Sequence, residues 1–405
     1  MSLSDEQRNR VTQILCQCCQ ANSEQVRDKE DKDFYGSDRV SAEAGGGFLH
    51  SYLSVHFESL SSDRIEDLLT SFWISQRSSP ETQTGVLKRR MSGFLFFILP
   101  ALGGYALTSV YLLKNPLILH KRKRTAFYCT HISHRGGCGE RIESTMEAFT
   151  HAVEQGTQML ELDCHLTHDG HVVVSHDENL LRETGNDVNM SSLDWQDLPL
   201  YKDRLEVTFF SGRFSGGADR KFTLLEDLFR TFPQIPISIE IKENNSQLIK
   251  KVSDLVKTYN RDEITVWATV NSNIMRKCRR TNSSMPYSFT VRRGVLLLLL
   301  YYSGLLPFVP LGESLLQFYL PRIINRTFIP QKRVLRNRLI ISLLEKVTMR
   351  RGLFNHLAAR GIQVHLFVCN EEEDIKAAFD VGATGVMTDY PTLLSNYLLR
   401  NRNQD

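Results

Sequence analysis

From residue 130 to residue 398 the chain alternates short strand-forming runs with longer runs of helical periodicity. The strand-like runs are HISH (131–134), LELD (160–163), VVVSHD (172–177), ISIEIK (237–242), ITVWAT (264–269), YSFTV (287–291), IINRTF (323–328), VHLFV (364–368) and GVMT (385–388). Helical patterns fall at 144–154, at 245–259 and from Asn271 onward. Each strand that is followed by a helix must cross over before the next strand, so sustained alternation builds a parallel sheet. Over about 270 residues this predicts an α/β fold, a (β/α)8 TIM-type barrel. Nine strand-like pieces compete for eight places, so one must stand outside the barrel.

The surplus piece is expected in ELDCHLTHDGHVVVSHD, residues 161–177. A two-residue turn at Asp169-Gly170 folds it into a hairpin. Pairing outward from that turn sets His168 opposite His171, Leu166 opposite Val173 and Asp163 opposite His176. Glu161 and Asp163 share a face by the period of two. This register gathers Glu161, Asp163 and His176 at one rim of the barrel.

Four short motifs lie near predicted strand ends, where barrels carry their active sites. They are His134-Arg135, Glu161-x-Asp163, His176-Asp177 and Glu240-Ile241-Lys242. Three inward carboxylates repel one another and resist ionisation unless a cation joins them. A hard divalent ion bound through oxygen, Ca2+ or Mg2+, resolves that conflict, so Glu161, Asp163 and Glu240 are the expected metal ligands. His134 and His176 suit acid and base roles near neutral pH. Arg135 and Lys242 supply positive charge for an anionic substrate. His165, His168 and His171 read as turn or exposed histidines. Asp177 reads as an orienting group or strand-end cap, and Asp389 as a helix-start cap.

Outside the barrel, GFLFFILPALGGYALTSVYLL (93–113) carries no charge. As a helix rising about 1.5 Å per residue it reaches roughly 30 Å, the depth of a bilayer core. Lys88, Arg89 and Arg90 precede it, and Lys114 and Lys121 to Arg124 follow it. The small basic excess on the C-terminal side favours a cytoplasmic barrel. The expected domains are a polar, poorly ordered extension at 1–90, with an amphipathic helix at 63–76, a membrane-anchoring helix at 91–124 and the barrel at 125–400. A hydrophobic insertion at 294–322 contains GVLLLLLYYSGLLPFVPL (294–311). A second crossing of the bilayer there would separate strands of one barrel, so this run is expected to be a membrane-dipping or acyl-binding lid on the active-site face. The net charge of +3, with no polybasic face interleaved with aromatics, argues against a nucleic-acid partner. The eight cysteines show no disulfide framework and are expected to be free thiols.

In this order the motifs His-Arg-Gly, Glu-Leu-Asp, Thr-x-Asp-Gly, Val-Val-x-His-Asp, Glu-Ile-Lys and the closing Gly-Ala-Thr-Gly-Val-Met-Thr-Asp-Tyr-Pro are more specific than any one alone. Together they resemble the glycerophosphodiester phosphodiesterase family, in particular its membrane-anchored lysophospholipase D branch. The resemblance implies that His134 and His176 are the acid/base pair. It implies that Glu161, Asp163 and Glu240 hold the divalent cation and that Arg135 and Lys242 contact phosphate. It further implies a lysophospholipid substrate cleaved to lysophosphatidic acid and a free head group, at an endoplasmic reticulum or perinuclear membrane. The alternatives are hydrolysis of soluble glycerophosphodiesters and a non-catalytic membrane lipid-binding protein. Glu143-Ser144-Thr145 and Phe367 depart from the family's usual Glu-Asn-Thr and tryptophan.

Overall fold

The structure, a computed structural model, describes residues 83–324, 326 and 337–402, with side chains from residue 98 to residue 401. The chain divides at Leu107 into two units, and the second, Thr108–Asp405, carries the barrel. Eight strand positions close on themselves. They are β1 (His131–His134), β2 (Met159–Leu166), β7 (Ile237–Glu240), β8 (Thr265–Ala268), a short extended segment at 287–288, β9 (Leu315–Tyr319), β10 (Gln363–Phe367) and β11 (Gly385–Thr388). The 287–288 segment joins β8 to β9 by single parallel bridges, Trp267 with Tyr287 and Ser288 with Leu315. Every other adjacent pair is parallel too, and β11 returns to β1 through His131 and Val386.

Local sequence explains the elements. The helices Ser246–Thr258 and Ser272–Thr281 begin where Asn245 and Asn271 accept hydrogen bonds from backbone N–H groups of their first turns. Such caps contribute about 1 kcal/mol each. The first of these helices buries Leu248, Ile249, Val252 and Val256 against the sheet. Each full burial of that kind is worth roughly 1.5–3 kcal/mol. All eight residues of β2 are buried, as expected for a strand with packing on both faces. At the opposite end from the candidate site, Phe127, Ile132, Met159, Val266, Leu315 and Met387 fill the barrel interior with apolar side chains.

The surplus strand is where the sequence places it. β3 (Val172–Val174) pairs antiparallel with β2 and stays outside the barrel. Its register differs by one residue from the expectation: Leu166 lies opposite Val172, His165 opposite Val173 and Cys164 opposite Val174. The turn is longer than Asp-Gly alone suggests. Thr167 and His171 close a three-residue loop in which Gly170 takes φ +87°, and the Thr167 hydroxyl accepts the His171 N–H at 2.9 Å and donates to Asp169. Three-residue hairpins with an αL residue are the next commonest class after two-residue turns. A slip of one residue moves a strand's side chains to the other face. Asp163 therefore faces Ser175, not His176, across the ladder, through Ser175 N–H to the Asp163 carbonyl.

Two further expectations are corrected. The sixth strand is Leu315–Tyr319, not 323–328. Residues 321–323 form a 3-10 turn that begins at Pro321, and 325 and 327–336 lie outside the described residues. The apolar run 294–311 is not an excursion from the barrel. Val291–Ser303 is the helix linking the 287–288 segment to β9, and the rest of the 294–322 region contains β9 itself. The run looks featureless because both sides of the helix are apolar. Leu297 is buried, Leu298, Leu300 and Tyr301 pack on the core, and Leu299 and Tyr302 are exposed. The element that reaches the candidate site is instead the hairpin of β4 (Arg204–Glu206) and β5 (Phe214–Gly216), which the sequence reading did not single out.

The run 93–113 lies within a helix, Gln83–Lys114, whose first half carries no described side chains. Among the described residues no helix is long and apolar enough to cross a membrane. The amphipathic helix expected at 63–76 falls outside the described residues, as do Cys16, Cys18 and Cys19. The five described cysteines are free and buried.

The chain approaching β1 passes close against Gly361, whose φ is +78° and where an added Cβ would sit 2.1 Å from the Lys123 carbonyl oxygen. Gly361→Ala should therefore lower stability by about 2 kcal/mol or more, read as a drop in thermal midpoint. An unchanged midpoint would contradict this close approach.

Candidate active site

Parallel register builds the site. His134 pairs with Glu161 across β1 and β2, and Asp163 pairs with Glu240 across β2 and β7. Directly paired residues on neighbouring strands point to the same side of a sheet. Three adjacent strand ends thus deliver a histidine and three carboxylates into one mouth. Oxygens of Glu161, Asp163 and Glu240 lie within 4.8 Å of one another. Lys242 Nζ hydrogen-bonds Asp163 Oδ1 and lies 3.2 Å from Glu240 Oε2. The Arg135 N–H donates to Glu161 Oε2 at 3.2 Å, and its guanidinium Nε lies 4.0 Å from Asp163 Oδ2. That Nε is buried and makes no hydrogen bond.

The electrostatics follow from this crowding. Burial, and then the charge of Asp163, push the Glu161 carboxyl up to about 7. Burial also works against charge on Asp163, but Lys242 and then His176 and Arg135 outweigh it and lower its pKa. The donor set fits a hard divalent cation: three clustered carboxylates, one of them reluctant to ionise without added positive charge.

The two histidines are each held by an aspartate. His134 Nδ1 donates to Asp389 Oδ1 at 2.6 Å, which leaves Nε2 facing Glu161 Oε2 at 3.9 Å. Asp389 is fully buried, its Oδ1 also accepts the Cys138 thiol at 3.0 Å, and its Oδ2 accepts from Asn370 at 2.6 Å. Burial opposes charge on His134, but Asp389 outweighs it and raises the pKa. His176 Nδ1 donates to Asp177 Oδ1 at 2.5 Å. Burial and the charges of Arg135 and Lys242 push His176 well below the usual histidine range. A bend after β3 returns His176 to the mouth despite the shifted register, so the charges of Asp163 and Glu143 act on it.

Behind these groups lies a network that motif reading missed. Buried Glu143 accepts from Arg135 at 3.1 Å and from Arg182 at 2.7 Å, and Arg182 donates to Asp177 at 2.6 Å. Arg135 and the His176–Asp177 pair are thereby joined through Glu143 and Arg182. Asp177 orients a histidine as expected. Asp389 is not the helix-start cap expected of it: its carboxylate is spent on His134, Cys138 and Asn370, and the Thr392 N–H in the first turn of the helix Pro391–Arg402 is met by Glu140 instead. The closing motif marks Asp389 but not its partner, because it meets His134 across 255 residues. His168 and His171 are exposed at the turn, but His165 is buried, contrary to expectation. The period of two places it on the same face as Glu161 and Asp163, a signal that was available in the sequence.

The opposite side of the mouth is apolar. Phe209, from the β4–β5 hairpin, packs edge-on against His134 with centroids 5.6 Å apart and lies 5.9 Å from the Arg135 guanidinium carbon. Phe209, Tyr319, Ile323, Ile324 and Val368 line one pocket. Phe367 packs edge-on against Tyr319 at 5.2 Å. Arg135 (φ 49°) and Val368 (φ 60°) both hold left-handed backbone at strand ends. Such strain in a β-branched residue is rare and gathers at functional sites.

Residues 134–393 match the glycerophosphoryl diester phosphodiesterase family. Human lysophospholipase D GDPD3 is 49% identical over 308 residues, 76% of this chain and 97% of that protein. Human lysophospholipase D GDPD1 is 51% identical over 303 residues, 75% of this chain and 96% of that protein. The crystal structure of a glycerophosphodiester phosphodiesterase from Agrobacterium tumefaciens aligns with 66% of this chain and 99% of its own, at 17% identity and a TM-score of 0.46.

The raised Glu161 pKa sets a pH dependence. The ordinary value is 4.5, so its ionisation costs the fold increasingly as pH rises from there to about 7 and no further above. A cation requires the ionised form. Affinity for Mg2+ or Ca2+, measured by calorimetry, should climb about tenfold per pH unit below about pH 7 and level off above it. Affinity independent of pH across that window would remove Glu161 from the ligand set.

Proposed function

Because this chain belongs to the glycerophosphoryl diester phosphodiesterase family and is a phosphodiester hydrolase, we propose that it acts as a metal-dependent lysophospholipase D. In this reading it releases the head group of a lysophospholipid and leaves lysophosphatidic acid. The observation that carries the reading is the two-sided mouth: carboxylates, cations and paired histidines on one side, and the Phe209–Tyr319–Val368 wall on the other. A soluble glycerophosphodiester needs only the first side. A lipid with one acyl chain uses both.

Glu161, Asp163 and Glu240 are the proposed ligands of a divalent cation, Ca2+ or Mg2+. When bound, such a cation supplies positive charge against the phosphate oxygens. Arg135 brings a buried donor, Nε, with no hydrogen bond of its own, and Lys242 a second cation. These favour a phosphate and its developing negative charge. The opposite shifts of the two histidines favour His176 as proton acceptor from the nucleophile and His134 as proton donor to the departing alcohol oxygen. Asp389 and Asp177 hold each ring so that Nε2 is the free nitrogen.

The proposed setting is a membrane surface, of the endoplasmic reticulum or the perinuclear region, with the apolar run 93–113 as anchor. Within the barrel unit, exposed Tyr111, Leu117, Ile118 and Leu119 adjoin the end of the helix Val291–Ser303 and the turn after it. The contacts are Ser109 Oγ to the Gly304 carbonyl at 2.6 Å and His120 Nε2 to the Pro307 carbonyl at 2.8 Å. Leu299 and Phe308 add exposed apolar surface there. Lys114, Lys121, Arg122 and Arg124 lie exposed beside it, a combination that suits an anionic lipid interface.

Three outcomes test these assignments. His134→Ala or Glu161→Ala should cut divalent-dependent head-group release by about 10²-fold or more. Retained activity would remove this site from the mechanism. Tyr319→Ala or Phe209→Ala should reduce kcat/KM on lysophosphatidylcholine several-fold more than on glycerophosphocholine, and equal losses would favour the soluble substrate. Leu117→Ser with Leu119→Ser should weaken binding to anionic vesicles in a sedimentation assay, and unchanged binding would discard this surface as the membrane contact.

A further inference from the structure

His165 is the one histidine of the 161–177 stretch that is buried yet takes no part in the proposed chemistry. It follows Asp163 by two on β2, so its ring emerges on the face that carries the carboxylates. Only 3% of its surface is exposed. Both ring nitrogens meet acceptors from other segments. Nε2 lies 3.2 Å from the carbonyl oxygen of His176. Nδ1 hydrogen-bonds Glu243 Oε1 and lies 3.3 Å from Glu178 Oε2. Glu178 follows His176 by two residues and Glu243 directly follows Lys242. Glu178 is in turn fixed by the Ser191 N–H at 3.3 Å.

We propose that His165 is a positioning residue, tying the bend that carries His176 to the loop that carries Lys242. The ladder explains why such a tie is needed. β3 ends at Val174, and the last rung to β2 is Ser175 N–H to the Asp163 carbonyl at 3.1 Å. Beyond that rung the sheet no longer holds the main chain, and the His176 carbonyl rests on His165. Lys242 likewise stands beyond the last residue of β7, Glu240. A carbonyl and two carboxylates can only accept, so the imidazole donates from both nitrogens. Without it, Glu178 and Glu243 confront each other as like charges, and the two segments are pushed apart. The role rests on the catalytic reading of His176 and Lys242. It goes beyond that reading in assigning their placement to a third residue.

The test compares full-length wild type, His165→Leu, Glu243→Gln and the double variant on lysophosphatidylcholine and glycerophosphocholine. Thermal midpoint and Mg2+ affinity are measured alongside. His165→Leu should lower kcat about 10- to 100-fold on both substrates, the range for lost supporting hydrogen bonds, with KM within about threefold and Mg2+ affinity retained. Glu243→Gln should lower kcat less, and the double variant no further than His165→Leu alone, because the two residues act as a unit. Wild-type kcat in a folded His165→Leu protein would overturn the proposal, as would fully additive losses. If His165→Leu does not fold, Glu243→Gln decides: Glu243 is half-exposed and outside the core, and an unchanged kcat there would also overturn it. A wild-type protein inactive on both diesters would instead sink the catalytic reading, and this role with it.

Discussion

Three carboxylates on three neighbouring strand ends repel one another, and much of the barrel mouth is arranged around that repulsion. Glu161, Asp163 and Glu240 cannot move apart, because parallel register holds their strands together. Their charge is met from outside the trio, by Lys242 between Asp163 and Glu240 and by the buried Arg135 behind Glu161. Arg135 then needs its own counter-charge, which Glu143 provides, and Glu143 in turn draws in Arg182 and Asp177. Burying charges is costly unless each is paired and hydrogen-bonded. The chain of partners ends on His176, so the cost of holding the carboxylates is tied to the placement of the group proposed to transfer a proton.

The same mouth has an apolar half that owes nothing to this network. It is assembled from the ends of β9 and β10, from the turn at Ile323 and Ile324, and from Phe209 on a hairpin inserted between β3 and the short strand Thr223–Leu224. A long apolar run draws attention in the sequence, but its helix serves mainly to cover the barrel with one side and to expose the other. The side chains that form this wall come in ones and twos from separate segments. Hydrophobic length and hydrophobic placement are different properties, and only placement bears on what reaches the carboxylate cluster.

The barrel was legible because its period is local: strand runs of four to six residues between capped helices declare themselves without reference to distant residues. Glu161, Asp163, Glu240 and Lys242 were legible for the same reason, since period two and strand-end position together bring them to one rim. The hairpin register was not. Asp-Gly suits a two-residue turn, whereas the hydrogen bonds of Thr167 with Asp169 and His171 close a three-residue one. Strand six was masked because LLQFY continues an apolar stretch and its boundaries are set by pairing with β10. Asp389 reaches His134 across 255 residues, and His165 is buried by glutamates 13 and 78 positions away.

What the amino-acid order determined by itself is therefore the list of parts: an alternating α/β chain, a surplus hairpin, and the histidines, carboxylates and cations of a phosphodiesterase family. Only the tertiary structure decided which histidines are held by which acids, which apolar residues turn towards the site, and that His165 joins two of its segments. The physical reason is range. Propensity, capping and periodicity act over a few residues and can be read in order. Charge pairing and burial act through space, and closing a barrel sets side by side residues that the chain separates by hundreds.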